Sequence, residues 1–102
     1  MTESEFHGAV DAVLARIESS LEDDDLDIDL ESGILTITSE GGAKVIINRQ
    51  TPNREIWVAA RSGGFHFRFS GGEWRDTRSA DELFASLARV IESQAGIKPR
   101  WK

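Results

Sequence analysis

The chain has 102 residues, of which 18 are acidic and 12 basic, a net charge of −6, and it has no cysteine. This length predicts one domain, spanning residues 1–102, with a modest core. The lack of cysteine excludes disulfides, thiolate nucleophiles and zinc ribbons within the chain. The acidic balance argues against binding to nucleic acid or to anionic membranes, because both need a basic surface. No apolar run approaches the ~18 residues that cross a bilayer, and no signal peptide is indicated, so we expect a cytoplasmic protein.

The acidic residues are concentrated at the start of the chain. Residues 1–31 carry eleven acids and one base, a net of −10, whereas residues 32–102 carry +4. Such runs are often disordered or merely solvated, but this one is threaded with apolar residues at regular spacing. A folded surface that keeps so many carboxylates together repels itself, which suggests that it binds a metal ion, a basic protein, or both. A solvated acidic face that only aids solubility is the alternative, and the residues alone leave both open.

The first segment predicts an amphipathic helix. Its apolar residues follow the i, i+3, i+4, i+7 pattern: Phe6, Val10, Val13, Leu14, Ile17 and Leu21. Thr2, followed three residues later by Glu5, predicts a capping box at its start. Beside the apolar stripe, one flank of the helix carries polar side chains that can bind cations: His7, Asp11, Glu18 and Glu22.

From Asp25 the period changes to two. Leu26, Ile28 and Leu30 alternate with acids, which predicts a strand with an acidic outer row: Asp25, Asp27, Asp29 and Glu31. Ser32-Gly33 is predicted as a two-residue turn after this strand. Further strands are predicted at residues 34–38, 44–48, 55–60, 65–69 and around Trp74, with glycine-rich turns between most of them. Short strands joined in this way form an antiparallel meander.

A second helix closes the chain. Ser79 is predicted as its N-cap and Gly96 as its C-cap. The basic residues after it, Lys98, Arg100 and Lys102, are expected to be solvated. The order helix, six strands, helix predicts an α+β fold, a two-layer sandwich with both helices on one face of the sheet.

The residues offer little to an enzyme. The chain has only His7 and His66 and no nucleophile motif, no phosphate loop and no zinc-binding helix motif, so we expect no catalysis. Asp25, Asp27 and Asp29 are spaced like the start of an EF-hand loop. Leu30 stands where that loop needs Gly and Thr36 where it needs Glu, which excludes an EF-hand.

Two features remain as candidate sites. The carboxylate surface offers hard ligands suited to Mg, Mn and iron rather than Cu(I), and exposed sites of this type should bind weakly and at several places; His7 and Asp11, one helical turn apart, could share an ion. Trp57 alternates with Ile56 and Val58, so it is predicted on the open face of the sheet. There it is either a partner contact, with Asn48, Gln50 and His66 nearby, or a ring lying flat over neighbouring strands.

Three stretches of the chain carry a resemblance to a known family. They are Ser4–His7 with the acidic helix that follows, Gly33–Thr38, and Asn48–Pro52 with Ile56-Trp57, Gly63–Phe67 and Glu73-Trp74. In these stretches, and in the same order of elements over nearly the whole chain, the sequence resembles the frataxin family.

The resemblance implies an α+β sandwich that binds ferrous and ferric iron weakly and regulates iron–sulfur cluster formation or supplies its iron. It implies binding to a cysteine desulfurase, with the cluster scaffold protein as a second candidate partner, by a monomer that iron can drive into oligomers. The implied metal contacts are Glu18, Glu22, Asp23, Asp25, Asp27, Asp29 and Glu31, with His7 and Asp11 as secondary ones. The implied partner contacts are Glu18, Glu22, Asp23, Asp25, Asn48, Gln50 and Trp57.

Alternatives to that function stay open. One is a metal-independent acidic adaptor that binds a basic protein surface; another, less favoured, is a ferroxidase or iron-storage protein. One residue departs from the family pattern, in which Gln usually stands two positions before the Trp. Glu55 stands there, and it is expected to add a negative charge beside the partner surface.

Overall fold

The chain folds in the predicted order of one helix, six strands and one helix, and the structure, a computed structural model, describes residues 1–102. The elements are α1 (Glu3–Leu21), β1 (Leu26–Glu31), β2 (Ile34–Ser39), β3 (Lys44–Gln50), β4 (Glu55–Ala60), β5 (Gly63–Ser70), β6 (Glu73–Asp76) and α2 (Leu83–Ala95). Neither α1 nor α2 combines the length and the hydrophobicity that a membrane-spanning helix requires.

The six strands form one antiparallel sheet in the order β1-β2-β3-β4-β5-β6. Each strand pairs with its neighbours in the chain, so β1 and β6 are the two edges. Between β1 and β2, Ser32 (φ 55°) and Gly33 (φ 78°) both adopt the left-handed region that a two-residue hairpin turn requires. This turn places Glu31 opposite Ile34 and fixes the register of the hairpin. The predicted meander is confirmed.

The core lies between the sheet and the two helices. The sheet contributes the alternate side chains of its strands, and α1 and α2 contribute one apolar stripe each, led by Phe6 and Leu87. Side chains of the other parity, among them Asp27, Asn48 and Trp57, lie on the face that no helix covers. The prediction of a two-layer sandwich with both helices on one face is confirmed.

The capping of α1 is confirmed. The Glu5 backbone N–H donates to the Thr2 hydroxyl at 3.1 Å, and the Thr2 backbone N–H donates to Glu5 Oε1 at 2.8 Å. That backbone bond, with the Thr2 side chain second, lowers the pKa of the Glu5 carboxyl below its ordinary value.

The start of α2 differs from the prediction. Ser79 is not its N-cap; the helix begins at Leu83, and Glu82 caps it by accepting from the backbone N–H groups of Phe84 (2.8 Å) and Ala85 (3.0 Å). Ala80 has a φ of 66°, and Glu82 still pairs in extended form with Arg75, so the chain cannot enter a helix before residue 83. The end of α2 agrees with the prediction, because Gly96 adopts the left-handed C-cap conformation.

The three basic side chains of the tail are exposed, as expected, but Trp101 between them packs against the helices. The Trp101 indole N–H donates to the Phe84 carbonyl at 3.0 Å, and the two rings meet edge to face with centroids 5.1 Å apart. Arg16 donates to the Lys102 carbonyl, and the Lys102 ammonium lies 3.4 Å from Glu22 Oε1. The tail therefore fastens α1 to α2 and reaches the acidic surface.

Candidate metal and partner surface

The acidic ridge is the set of exposed carboxylates where the flank of α1 meets the edge strand β1. Its members are Glu18, Glu22, Asp23, Asp25, Asp27, Asp29 and Glu31, and all seven are exposed. The alternation of β1 sends the Asp27 and Asp29 side chains away from the helices, whereas Leu26 and Ile28 pack against the core. Because β1 pairs only with β2, no other strand covers this edge.

The ridge is almost free of cations. Only Glu22 forms an ion pair, at 3.4 Å and with both side chains more than half exposed, which is weak in water. Two shallow crevices open along the ridge. One, of about 440 Å³, lies between α1 and β1 and is lined by Glu18 and Glu22. The other, of about 310 Å³, is lined by Asp25, Asp27 and Glu40 among others.

Glu40 is a ridge neighbour that the sequence interpretation missed. The hairpin register pairs Leu26 with Ser39, so the next step outward brings Glu40 beside Asp25. The predicted Ser32-Gly33 turn already fixed this register and was the signal that could have found it. Like charges facing each other across a hairpin destabilise it, and a bound cation would relieve this repulsion.

No group of three or more His, Asp or Glu side chains in residues 1–102 is arranged to hold one ion. The ridge instead offers single carboxylates and pairs of them along an open edge. Hard, hydrated cations are held in this way by one or two carboxylates while they keep most of their water. The chemistry that this arrangement supports is weak ion binding at several points.

His7 and Asp11 lie together, but with a third residue between them. Arg49, on β3, donates from Nη1 to His7 Nδ1 at 2.8 Å and from Nη2 to Asp11 Oδ1 at 2.6 Å. Arg49 lies within the stretch Asn48–Pro52, and no role was predicted for it. The guanidinium joins the start of α1 to the sheet.

Trp57 lies on the open sheet face, as predicted, but its ring is half covered. It stacks on His66 with centroids 4.2 Å apart and planes 8° from parallel, and its indole N–H donates to Glu55 Oε1 at 2.9 Å. Asn48 is its direct neighbour on β3, and Gln50 stands opposite Glu55. The register thus brings Asn48, Trp57 and His66 into one row across three strands.

Glu55 does not present a charge to this face, contrary to expectation. Its side chain is 6% exposed, and its Oε2 accepts from Arg68 Nη2 at 2.7 Å. The pair forms because β4 and β5 place Glu55 directly opposite Arg68. The departure from the usual Gln is thereby compensated within the chain.

Comparison with known proteins agrees with this architecture. Residues 1–97 match the family model described as a frataxin-like domain. The protein named iron-sulfur cluster assembly protein CyaY of Paraburkholderia phymatum is 51% identical over 98 residues, which cover 94% of this chain and 93% of that protein. The protein of the same name from Burkholderia mallei is 48% identical over 102 residues, covering 95% and 94%.

Solved structures show the same fold. Frataxin from Psychromonas ingrahamii has a TM-score of 0.93 and 34% identity, covering 100% of this chain and 99% of that one. Trimeric yeast frataxin from Saccharomyces cerevisiae, complexed with ferrous iron, has a TM-score of 0.71 and 28% identity, covering 95% and 88%. The match of the family model over residues 1–97 and the 51% identity lead to one conclusion: the chain belongs to the frataxin-like family.

Proposed function

We propose that this protein carries iron weakly on the acidic ridge and acts in the cytoplasm in iron–sulfur cluster assembly, where it binds a cysteine desulfurase and regulates cluster formation or supplies iron. It is a carrier and regulator rather than an enzyme. The observation that supports this most directly is the ridge itself, with seven exposed carboxylates of which only Glu22 has a cationic partner. Relatives named for cluster assembly and a yeast relative complexed with ferrous iron support the same proposal.

The ridge suits both ligands for one physical reason. Its carboxylates are exposed and hydrated in the free protein. Binding a hydrated iron ion or a basic protein surface therefore costs little desolvation free energy. Attraction between such surfaces steers association and weakens with salt, because the Debye length is only ~8 Å at physiological ionic strength. Binding to the desulfurase should therefore weaken steeply as salt is added.

The sheet face supplies the second half of the proposed contact. The row formed by Asn48, Trp57 and His66, with Gln50 beside it, lies on the face of the sheet that no helix covers. An indole held in place by a stacked ring and a hydrogen bond loses little entropy when a partner covers it. We assign this row to the desulfurase or to the cluster scaffold protein.

A paired titration tests the proposal. The amide and indole signals are followed while the protein is titrated with Fe(II) without oxygen, and then with the desulfurase, with and without that iron. Shifts of the ridge amides in both titrations, with iron changing the desulfurase affinity, are the expected result. Desulfurase binding that ignores iron would leave a metal-independent adaptor, and no response to either ligand would overturn the proposal.

Charge reversal localises the contact. The double variant Asp25→Lys with Asp29→Lys should weaken the desulfurase complex at least tenfold while the fold is kept, because both side chains are exposed. The matched control is Glu3→Lys with Glu92→Lys, which makes the same change in net charge away from the ridge. If both double variants weaken binding equally, the contact depends on total charge and not on the ridge.

A further inference from the structure

The junction between α1 and β3 holds a guanidinium where the family resemblance places a metal ion. Arg49 donates one hydrogen bond to His7 Nδ1 at 2.8 Å and another to Asp11 Oδ1 at 2.6 Å. Its side chain is only 19% exposed and lies against Gly33, where an added Cβ would come within 3.5 Å of Arg49 Nε. The cation is therefore seated between the helix and the β1–β2 hairpin, and it is part of the fold.

The bond from Arg49 fixes the chemistry of His7. An arginine can only donate, so Nδ1 of His7 must be the acceptor, and in the neutral ring the proton then lies on Nε2. Neither nitrogen is left with a free lone pair, and a metal ion needs one. Asp11 keeps one open oxygen, because its side chain is 67% exposed, but that oxygen lies beside a positive charge.

We infer that Arg49 is a built-in counter-cation that excludes metal ions from the His7–Asp11 end of the acidic surface. By occupying this end, Arg49 leaves the acidic ridge as the place where the proposed iron ion binds. Arg49 also lines a crevice of about 230 Å³ together with Asp11 and Glu18, so its charge faces the same crevice as the first acid of the ridge. The inference rests on the proposed function only for the ridge; the blockade of His7 and Asp11 follows from the contacts of Arg49.

Zinc is a stringent probe, because it is diamagnetic and binds both imidazole and carboxylate. The imidazole nitrogens of His7 and the ridge amides are followed by NMR as Zn²⁺ is added to the full-length protein. In the wild type the His7 nitrogens should show a protonated Nε2 before zinc is added. They should stay unchanged while the ridge amides shift.

Arg49→Gln should open the site. Removing the competing charge-assisted contact should let His7 respond at a Zn²⁺ concentration about tenfold lower than in the wild type. The matched control is Arg78→Gln, which loses the same charge from an arginine whose side chain makes no ion pair or hydrogen bond; it should behave as the wild type does at His7. His66 lies two strands away from Arg49 and on the opposite face of the sheet, so it serves as a second imidazole whose response should be equal in all three proteins.

Three results would overturn the inference: a wild-type His7 that binds zinc together with the ridge, an Nδ1-protonated His7, or equal responses of Arg49→Gln and Arg78→Gln. If Arg49→Gln does not fold, the zinc titration of the wild type still tests the inference. The Arg49 Nε–H signal should then stay in place while the ridge amides shift as zinc binds. A ridge that ignores metal while Arg49→Gln still opens His7 would defeat the proposed function and leave the role of Arg49 standing.

Discussion

The ion pair between Glu55 and Arg68 allows a stringent test of how the sheet face tolerates a buried charge. Replacing Arg68 with Ala leaves the Glu55 carboxylate buried, with the Trp57 indole N–H as its remaining close donor. A hydrogen bond to a charged group contributes about 1.5–3 kcal/mol, but exposed ion pairs contribute only about 0.2–1 kcal/mol. Because Arg68 is 62% exposed and Glu55 only 6%, we expect a loss of about 1.5 kcal/mol.

A second variant, at Glu55, separates the effect of the buried charge from the effect of side-chain packing. Glu55→Gln keeps an acceptor for the Trp57 N–H and removes the charge, so alone it should change the stability by less than about 0.5 kcal/mol. In the double variant, Arg68→Ala should then cost little, since no uncompensated charge remains. The difference between the two backgrounds is the coupling energy of the pair, expected to be near 1 kcal/mol.

Urea unfolding followed by circular dichroism measures all four proteins of this cycle. A loss of about 1.5 kcal/mol corresponds to a Tm lower by roughly 6–12 °C for a domain of this size. Arg78→Ala is the control for the general cost of removing a positive charge from an acidic protein. The reasoning is refuted if Arg68→Ala costs no more than Arg78→Ala, or if it costs as much with Gln at position 55 as with Glu.

Two further predictions concern the ends of the chain. Thr2→Ala should lower the stability by about 1 kcal/mol at pH 7 through loss of the side-chain cap. The pKa of Glu5 is lowered from 4.5 in the folded state, mainly by the Thr2 backbone N–H, which alanine keeps, and second by the Thr2 side chain. The contribution of Glu5 is present above 4.5 and is lost as the pH falls through the folded pKa; because only its side-chain part depends on this substitution, urea unfolding should show a slightly smaller effect of Thr2→Ala at acid pH. Trp101→Ala should lower the stability by about 2 kcal/mol through loss of the ring packed on Phe84, whereas Arg100→Ala, which changes an exposed side chain, should stay within about 0.5 kcal/mol; equal losses in thermal unfolding would contradict the packed tail.

The fold was largely readable from local patterns, and the errors came from long-range contacts. The spacing of apolar residues, the Thr2 cap and the two-residue turn each depend on neighbours within a few positions, and all three agree with the structure. The predicted start of α2 does not agree with the structure, because Glu82 still forms an antiparallel β-bridge with Arg75 of β6. The packing of the tail likewise depends on Phe84 and on α1, which no local pattern could indicate.

The acidic residues of the candidate site were predicted from the sequence, but the arginines near it were not. Alternation along β1 was enough to place Asp27 and Asp29 on an exposed row. Arg49 and Arg68 were not assigned, because each meets its acid across strands or between layers, and only the three-dimensional register reveals which acids are compensated.

The pairing of acids with bases, rather than their number, is what marks the ridge. Away from it, carboxylates such as Asp11, Glu55 and Glu73 each have an arginine within 2.7 Å. Side chains two apart on β1, such as Asp27 and Asp29, point the same way only about 7 Å apart and have no cation beside them. The arginines of the chain lie beside other acids or elsewhere on the surface, so the repulsion between the ridge carboxylates is left uncompensated within the fold. A cation or a basic surface from outside would relieve it, and this is the physical reason to look for the ligand there.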